Sequence, residues 1–189
     1  MQLNLDYSLC EGYKSNTQKM RVVTEKWVEQ NMFCPICGRP HLHHYTANKP
    51  VADFCCEDCH NDFELKSKNQ VALGKVINDG AYDTMMERLN DLHNPNFLFM
   101  THTDEYVRNF ILIPNHFFTP EIIIKRKPLA DDARRAGWVG CNINIADIPQ
   151  SGKIYIVKDG VEIDRNKVID DYARIRSLAT NSLTSRGWM

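Results

Sequence analysis

Apolar positions recur along this chain in two periods. Met20, Val23 and Trp27 fall three and four residues apart, the spacing of one helix face, and Ser15-Asn-Thr-Gln18 has the form of a capping box before them. That spacing predicts a helix from Ser15 to about Asn31. The stripe Tyr82, Met85, Met86 and Leu89 predicts a second helix over Asp79 to Leu92, and Asn166 to Leu178 reads as a closing third. Elsewhere the pattern alternates or runs continuously apolar. Asn96 to Thr103 and Tyr106 to Ile113, with a turn between them, predict strands; so do Trp138 to Ile145 and Lys153 to Val157, the latter ended by Asp159-Gly160. Two shorter alternating stretches, Val51 to Cys55 and Asn61 to Lys66, predict a hairpin. Helices interspersed with strands in this way predict an α/β fold, a mixed sheet flanked by helices.

Composition sharpens this picture only in places. A chain of 189 residues predicts a single domain, and 43% hydrophobic with 25% charged residues excludes wholesale disorder or a fibre. The longest apolar runs, such as Phe97 to Met100, span four residues, too few for a membrane helix. Met1 to Tyr7 lacks the basic and apolar regions of a secretory signal, so a cytoplasmic protein without a membrane partner is expected, acting as a monomer. A net charge of −1 excludes a generally basic nucleic-acid coat and leaves room for a local basic face.

The cysteines change the picture more. Residues 33 to 60 hold five of the seven cysteines and four of the seven histidines. An odd count without a signal peptide points to reduced thiols and metal before disulfides. Cys34-Pro-Ile-Cys37 and Cys56-Glu-Asp-Cys59 form C-x2-C-x18-C-x2-C, a spacing in which each short turn aims two sulfurs at one point. Four thiolates complete a tetrahedral zinc site and leave no open position, which makes the zinc structural. Cys55, His60 and the group His41, His43 and His44 are alternative ligands, or bystanders on a solvated loop. Cys10 and Cys141 stand alone and are expected to pack.

The predicted hairpin carries a second chemistry. Residues two apart on a strand share a face, so Glu64 and Lys66 project together while Phe63 and Leu65 project oppositely. Antiparallel pairing about a tip between Asp58 and Cys59 places Asp53 opposite Glu64. Two carboxylates and a lysine suit phosphodiester hydrolysis: Asp53 and Glu64 hold magnesium, and Lys66 orients water and offsets developing charge. A solvated strand face with an ordinary charge pair is the other reading of the same spacing.

At these residues the sequence resembles the PD-(D/E)xK nuclease superfamily, and more closely the DpnI family of methyl-directed (type IIM) restriction endonucleases. The similarity lies in Tyr13 to Lys19, in Arg39 to Lys68 with Pro-Val-Ala-Asp-Phe and Phe-Glu-Leu-Lys-Ser-Lys, in Ile77 to Met86, in Arg126 to Ala130, in Ala133 to Ile143 and in Leu183 to Trp188. It implies a PD-(D/E)xK restriction-endonuclease-like fold over residues 1–189 with the zinc-binding insertion at 33–60. It also implies cleavage of double-stranded DNA at GATC when the adenine carries an N6 methyl group, with Asp53, Glu64 and Lys66 as the catalytic set. Family members continue into a winged-helix DNA-binding domain, which would begin where this chain stops at Met189.

The residues themselves offer a DNA-reading face. Between 121 and 135, five basic residues, Lys125, Arg126, Lys127, Arg134 and Arg135, meet three acids for a net charge of +2, enough to contact phosphates or simply to form a mixed-charge loop. Trp138 beside Gly137 is either core or an apolar wall for a methyl group in the major groove. Asn142 and Asn144 share a strand face and read either as base contacts or as surface, and Arg186 and Trp188 are too few to assign. The alternative to a nuclease is a non-catalytic zinc-ribbon module that binds methylated DNA. Against it stands the acid pair, which repels phosphate unless a metal intervenes. A thiol redox protein would have no need of the second cysteine pair.

Overall fold

The computed structural model describes residues 1–45, 52–89 and 94–185. Along them run α1 (Asn16–Asn31), β1 (His43–His44), β2 (Phe54–Cys55), β3 (Asp62–Asn69), β4 (Val76–Ala81), α2 (Tyr82–Leu89), β5 (Asn96–His102), β6 (Val107–Ile113), β7 (Ile123–Lys125), β8 (Gly140–Asn144), β9 (Ile154–Lys158), β10 (Val161–Glu162) and α3 (Arg165–Ser185). Seven strands form one mixed sheet in the order β1-β2-β3-β5-β6-β9-β10, and β4-β8-β7 form a second, antiparallel sheet. Within the large sheet β3 and β5 run parallel, with β4 and α2 crossing between them, and the remaining pairs are antiparallel.

Burial on both faces explains the continuous apolar runs. Every residue of β5 is buried. Leu98 and Met100 face one core with Leu65, Phe110 and Leu112, where α1 and α3 supply Val23, Trp27, Val28, Val168 and Tyr172. Phe97 and Phe99 face a second core with Ile111 and Ile113, covered by Ile77, Ile143 and Ile123 of the small sheet and Met85 of α2. The expectation of a mixed sheet between helices therefore needs one correction: the second face is covered mainly by another sheet. Strands with one solvated face can form such a cover because only one row of their side chains must be apolar.

Several boundaries also differ from the sequence expectation. Asp79 is on β4, and α2 begins only at Tyr82; residues 90–92 lie outside the described residues. Pairing of Val76 to Ala81 with β8 supplies backbone partners that local periodicity cannot reveal. β8 starts at Gly140, leaving Trp138 in the irregular segment before it. Ser15 sits at the start of α1 in extended backbone, but its side chain makes no capping bond. The Asp159-Gly160 turn is as expected. Both residues have positive φ, 51° and 78°, the conformation a two-residue hairpin between β9 and β10 requires.

Candidate active site and metal centre

The β2–β3 hairpin follows the register that the spacing predicts. Phe54 pairs with Phe63 and Cys55 with Asp62, and both phenylalanines are fully buried. The ladder ends there. Asp53 lies one residue beyond it at a bend, donates its backbone N–H to the Phe63 carbonyl at 3.0 Å, and accepts the Leu65 N–H on Oδ2 at 2.8 Å. The Asp53 carboxylate thus replaces the missing strand for one backbone donor, a common use of a side-chain acceptor. Pro50 and Val51, which precede it, lie outside the described residues.

On β3 the alternation holds: Phe63 and Leu65 are buried in the helix-covered core, and Glu64 and Lys66 point to the opposite face. Asp53, Glu64 and Lys66 line one groove of about 710 Å³, together with Arg21, Thr24 and Glu25 of α1. The Arg21 guanidinium stands 3.8 Å from Asp53 Oδ1 and also bonds Glu25 at 2.6 Å.

Because Glu64 and Lys66 face the small sheet, its elements reach them. Lys66 Nζ lies 2.9 Å from Glu64 Oε1 and 2.6 Å from Asp79 Oδ1. Glu64 Oε2 is paired with the Arg88 guanidinium of α2 but has no hydrogen bond, and it is buried. Burial works against a charge on Lys66, yet the attraction of Glu64 and Asp79 outweighs it and holds the ammonium above the usual lysine range. Nothing in the sequence pattern marks Asp79 and Arg88 as site residues. Their approach depends on β4 and α2 folding over β3, and a lone Asp-Gly pair carries no such signal.

The cysteine-rich segment forms two knuckles of the same design. Cys34 accepts the Gly38 N–H and donates its own N–H to Arg39; Cys56 accepts the His60 N–H and donates to Asn61. Gly38 and His60 occupy equivalent left-handed positions, at φ 80° and 55°. The sulfurs of Cys34, Cys37, Cys56 and Cys59 lie within 4.8 Å of one another, with 3.6 Å from Cys34 to Cys59 and 3.5 Å from Cys37 to Cys56. Sulfurs bound tetrahedrally to one zinc stand roughly 3.8 Å apart, so this donor set fits the ion. Burial pushes the Cys34 thiol well up, and a cation among the sulfurs would act in the opposite direction. Cys55, His41, His43, His44 and His60 stand outside this cluster among the described residues. Arg165 at the start of α3 donates to the Gly38 carbonyl and lies over the Phe33 ring, tying the knuckle to the domain.

The predicted basic residues come together on one hairpin. β7 pairs with β8, and this hairpin, from the end of β7 to the start of β8, holds Lys125, Arg126, Lys127, Arg134, Arg135 and Trp138. The guanidinium of Arg135 stacks 4.5 Å from the Trp138 ring, and Lys125 lies 4.8 Å from the ring of Tyr82. Trp138 is half-buried and belongs to neither core. A Cβ on Gly140 would lie 2.7 Å from the indole, so glycine there lets the ring fold down over β8. Asn144 is occupied locally, donating to Asp147 and accepting from Ala146, whereas the buried Asn142 Oδ1 has no hydrogen bond. Arg186 and Trp188 lie outside the described residues.

Comparison with known families decides the relationship. The model of the Dam-replacing family, DpnI, matches residues 1–181. The chain belongs to the Dam-replacing (DpnI) family. The match takes in the acid-bearing hairpin, both knuckles and the basic hairpin together. Membership in the DpnI family points to a methyl-directed restriction endonuclease that acts on DNA. Among the described residues no helix is long and apolar enough to cross a membrane.

Proposed function

We propose that this member of the DpnI family is a magnesium-dependent endonuclease of the PD-(D/E)xK type, cutting double-stranded DNA at GATC sites that carry 6-methyladenine. The observation that carries the reading is the convergence of Asp53, Glu64 and Lys66 in one groove. Carboxylate oxygens lining one groove suit a hard cation, and the buried Glu64 Oε2, paired here with the Arg88 guanidinium, is an oxygen that such an ion would use in place of that partner. Asp53 and Glu64 would hold magnesium there, and its chemistry would be to polarise the scissile phosphate and acidify a water molecule. Lys66 holds an ammonium at the same point, where it orients the water and offsets charge on the phosphate.

The remaining roles follow from position. Lys125, Arg126, Lys127, Arg134 and Arg135 neutralise backbone phosphates along the duplex, contacts that position DNA without reading it. Trp138, held over Gly140 by Arg135, offers an apolar plate for the adenine methyl group in the major groove. Zinc in the four-cysteine site holds the turn of the hairpin that presents Asp53 and Glu64. The protein works as a cytoplasmic monomer.

Alanine at Asp53, Glu64 or Lys66 tests the assignment. Each variant should lose cleavage of methylated DNA by on the order of 10²-fold or more while keeping its circular dichroism spectrum and its zinc. Cleavage at the parental rate in any two of them would remove this set from the chemistry.

A further inference from the structure

Asp79 joins this network from outside the hairpin, and its surroundings are unusual for an aspartate. Its side chain is only 5% exposed. Oδ1 accepts from the Gly80 N–H at 2.8 Å and meets Lys66 Nζ at 2.6 Å, while the buried Oδ2 has no hydrogen bond. A carboxylate desolvated to this degree costs stability unless a cation compensates, and Lys66 is that cation.

The backbone around Asp79 gives it a fixed place. Across the small sheet Asp79 is in register with Cys141, and Cys141 with Lys125. Two positions along the strands, the row Ile77, Ile143 and Ile123 is buried core. A register shift between Asp79 and Ala81 marks the point where β4 turns into α2. Asp79 therefore stands on a rigid row that begins at the basic hairpin and ends against the β3 lysine.

We propose that Asp79 is a positioning residue for Lys66, a fixed carboxylate that holds the ammonium over the groove and couples it to the sheet bearing the DNA-reading hairpin. Lys66 has a long, flexible stem, and Glu64 alone would hold it along β3 without fixing how far it reaches. With Asp79 as a second, transverse anchor the ammonium has one location. The proposal rests on the nuclease reading above, because it assigns Asp79 its effect through Lys66.

The test compares wild type, Asp79→Asn, Lys66→Met and the double variant. Single-turnover cleavage of a methylated duplex is measured with magnesium, and duplex affinity by fluorescence anisotropy. Asp79→Asn keeps the shape and should lower the cleavage rate constant roughly 10- to 100-fold, the scale of a misplaced catalytic group, with affinity within about twofold of wild type. The double variant should be no slower than Lys66→Met, since one residue acts through the other. If Asp79→Asn lowers the thermal midpoint, the double variant should regain it, because Lys66 is no longer left short of a partner. A fully active Asp79→Asn, additive losses in the double variant, or a double variant as unstable as Asp79→Asn would each overturn the inference. Wild-type protein that fails to cut would overturn the nuclease reading itself, which a cutting wild type with a fully active Asp79→Asn would leave standing.

Discussion

Trp138 carries two opposed readings in the sequence, and the fold weighs against one of them. A tryptophan beside a strand is ordinarily core, and nothing in the pattern Gly137-Trp138-Val139-Gly140 separates that from a recognition surface. The structure places the ring outside both cores, stacked against Arg135 and above a glycine that leaves room for it. An indole half in water is an apolar plate open to a ligand, the property a methyl contact uses. Trp138→Ala should therefore leave the fold intact and reduce the preference for methylated over unmethylated GATC by roughly fivefold, or about 1 kcal/mol for one buried methyl group. Affinity measurements on the two duplexes check this; an unchanged preference in a folded variant would return Trp138 to a packing role. Asp53 teaches a related lesson at the same scale. Its distance along the chain from Glu64 is legible, but its bond to the Leu65 N–H is not, because that donor becomes available only where β2 stops.

Elements were legible in proportion to how local their cause is. The β5–β6 hairpin, β9 with its Asp159-Gly160 turn and α1 follow from runs and turn residues within a few positions, and their ranges differ little from expectation. β1, β4, β7 and β10 do not, since two to six residues carry too little pattern and are fixed by partners elsewhere in the chain. The hairpin between β2 and β3 lies between these cases. Its register is implied by symmetric spacing, yet strands of this length are marginal unless the turn is held. The second knuckle is that turn. Zinc bound by thiolates contributes about 10 kcal/mol or more to the folding of small metal modules, well above what one short hairpin needs. Cys59→Ser should thus lose zinc, hairpin structure and cleavage together, whereas Asp53→Ala should retain zinc and lose cleavage alone. Metal analysis alongside circular dichroism separates the two. A Cys59→Ser protein that cuts normally would show that the knuckle does not support the site.

For the whole molecule, the α/β class and the clustering of Cys34, Cys37, Cys56 and Cys59 are legible in the sequence, and the second sheet is not. That sheet explains why the groove has the charges it has. By lying across the large sheet it covers Phe97 and Phe99 with Ile77, Ile143 and Ile123, and the same packing brings Asp79 and Arg88 against Lys66 and Glu64. The basic hairpin leaves the far edge of that sheet, so the face suited to phosphate and the groove suited to hydrolysis are parts of one body. On the proposed function, this body cuts DNA only where adenine is methylated. That selectivity is tested most directly by incubating the protein and magnesium with one plasmid prepared in methylated and unmethylated form, and resolving the products on a gel. Discrete fragments are expected from the methylated plasmid, none from the unmethylated one, and none from either when magnesium is withheld. Binding to the methylated plasmid without cleavage, or equal cutting of both, would contradict the proposed function.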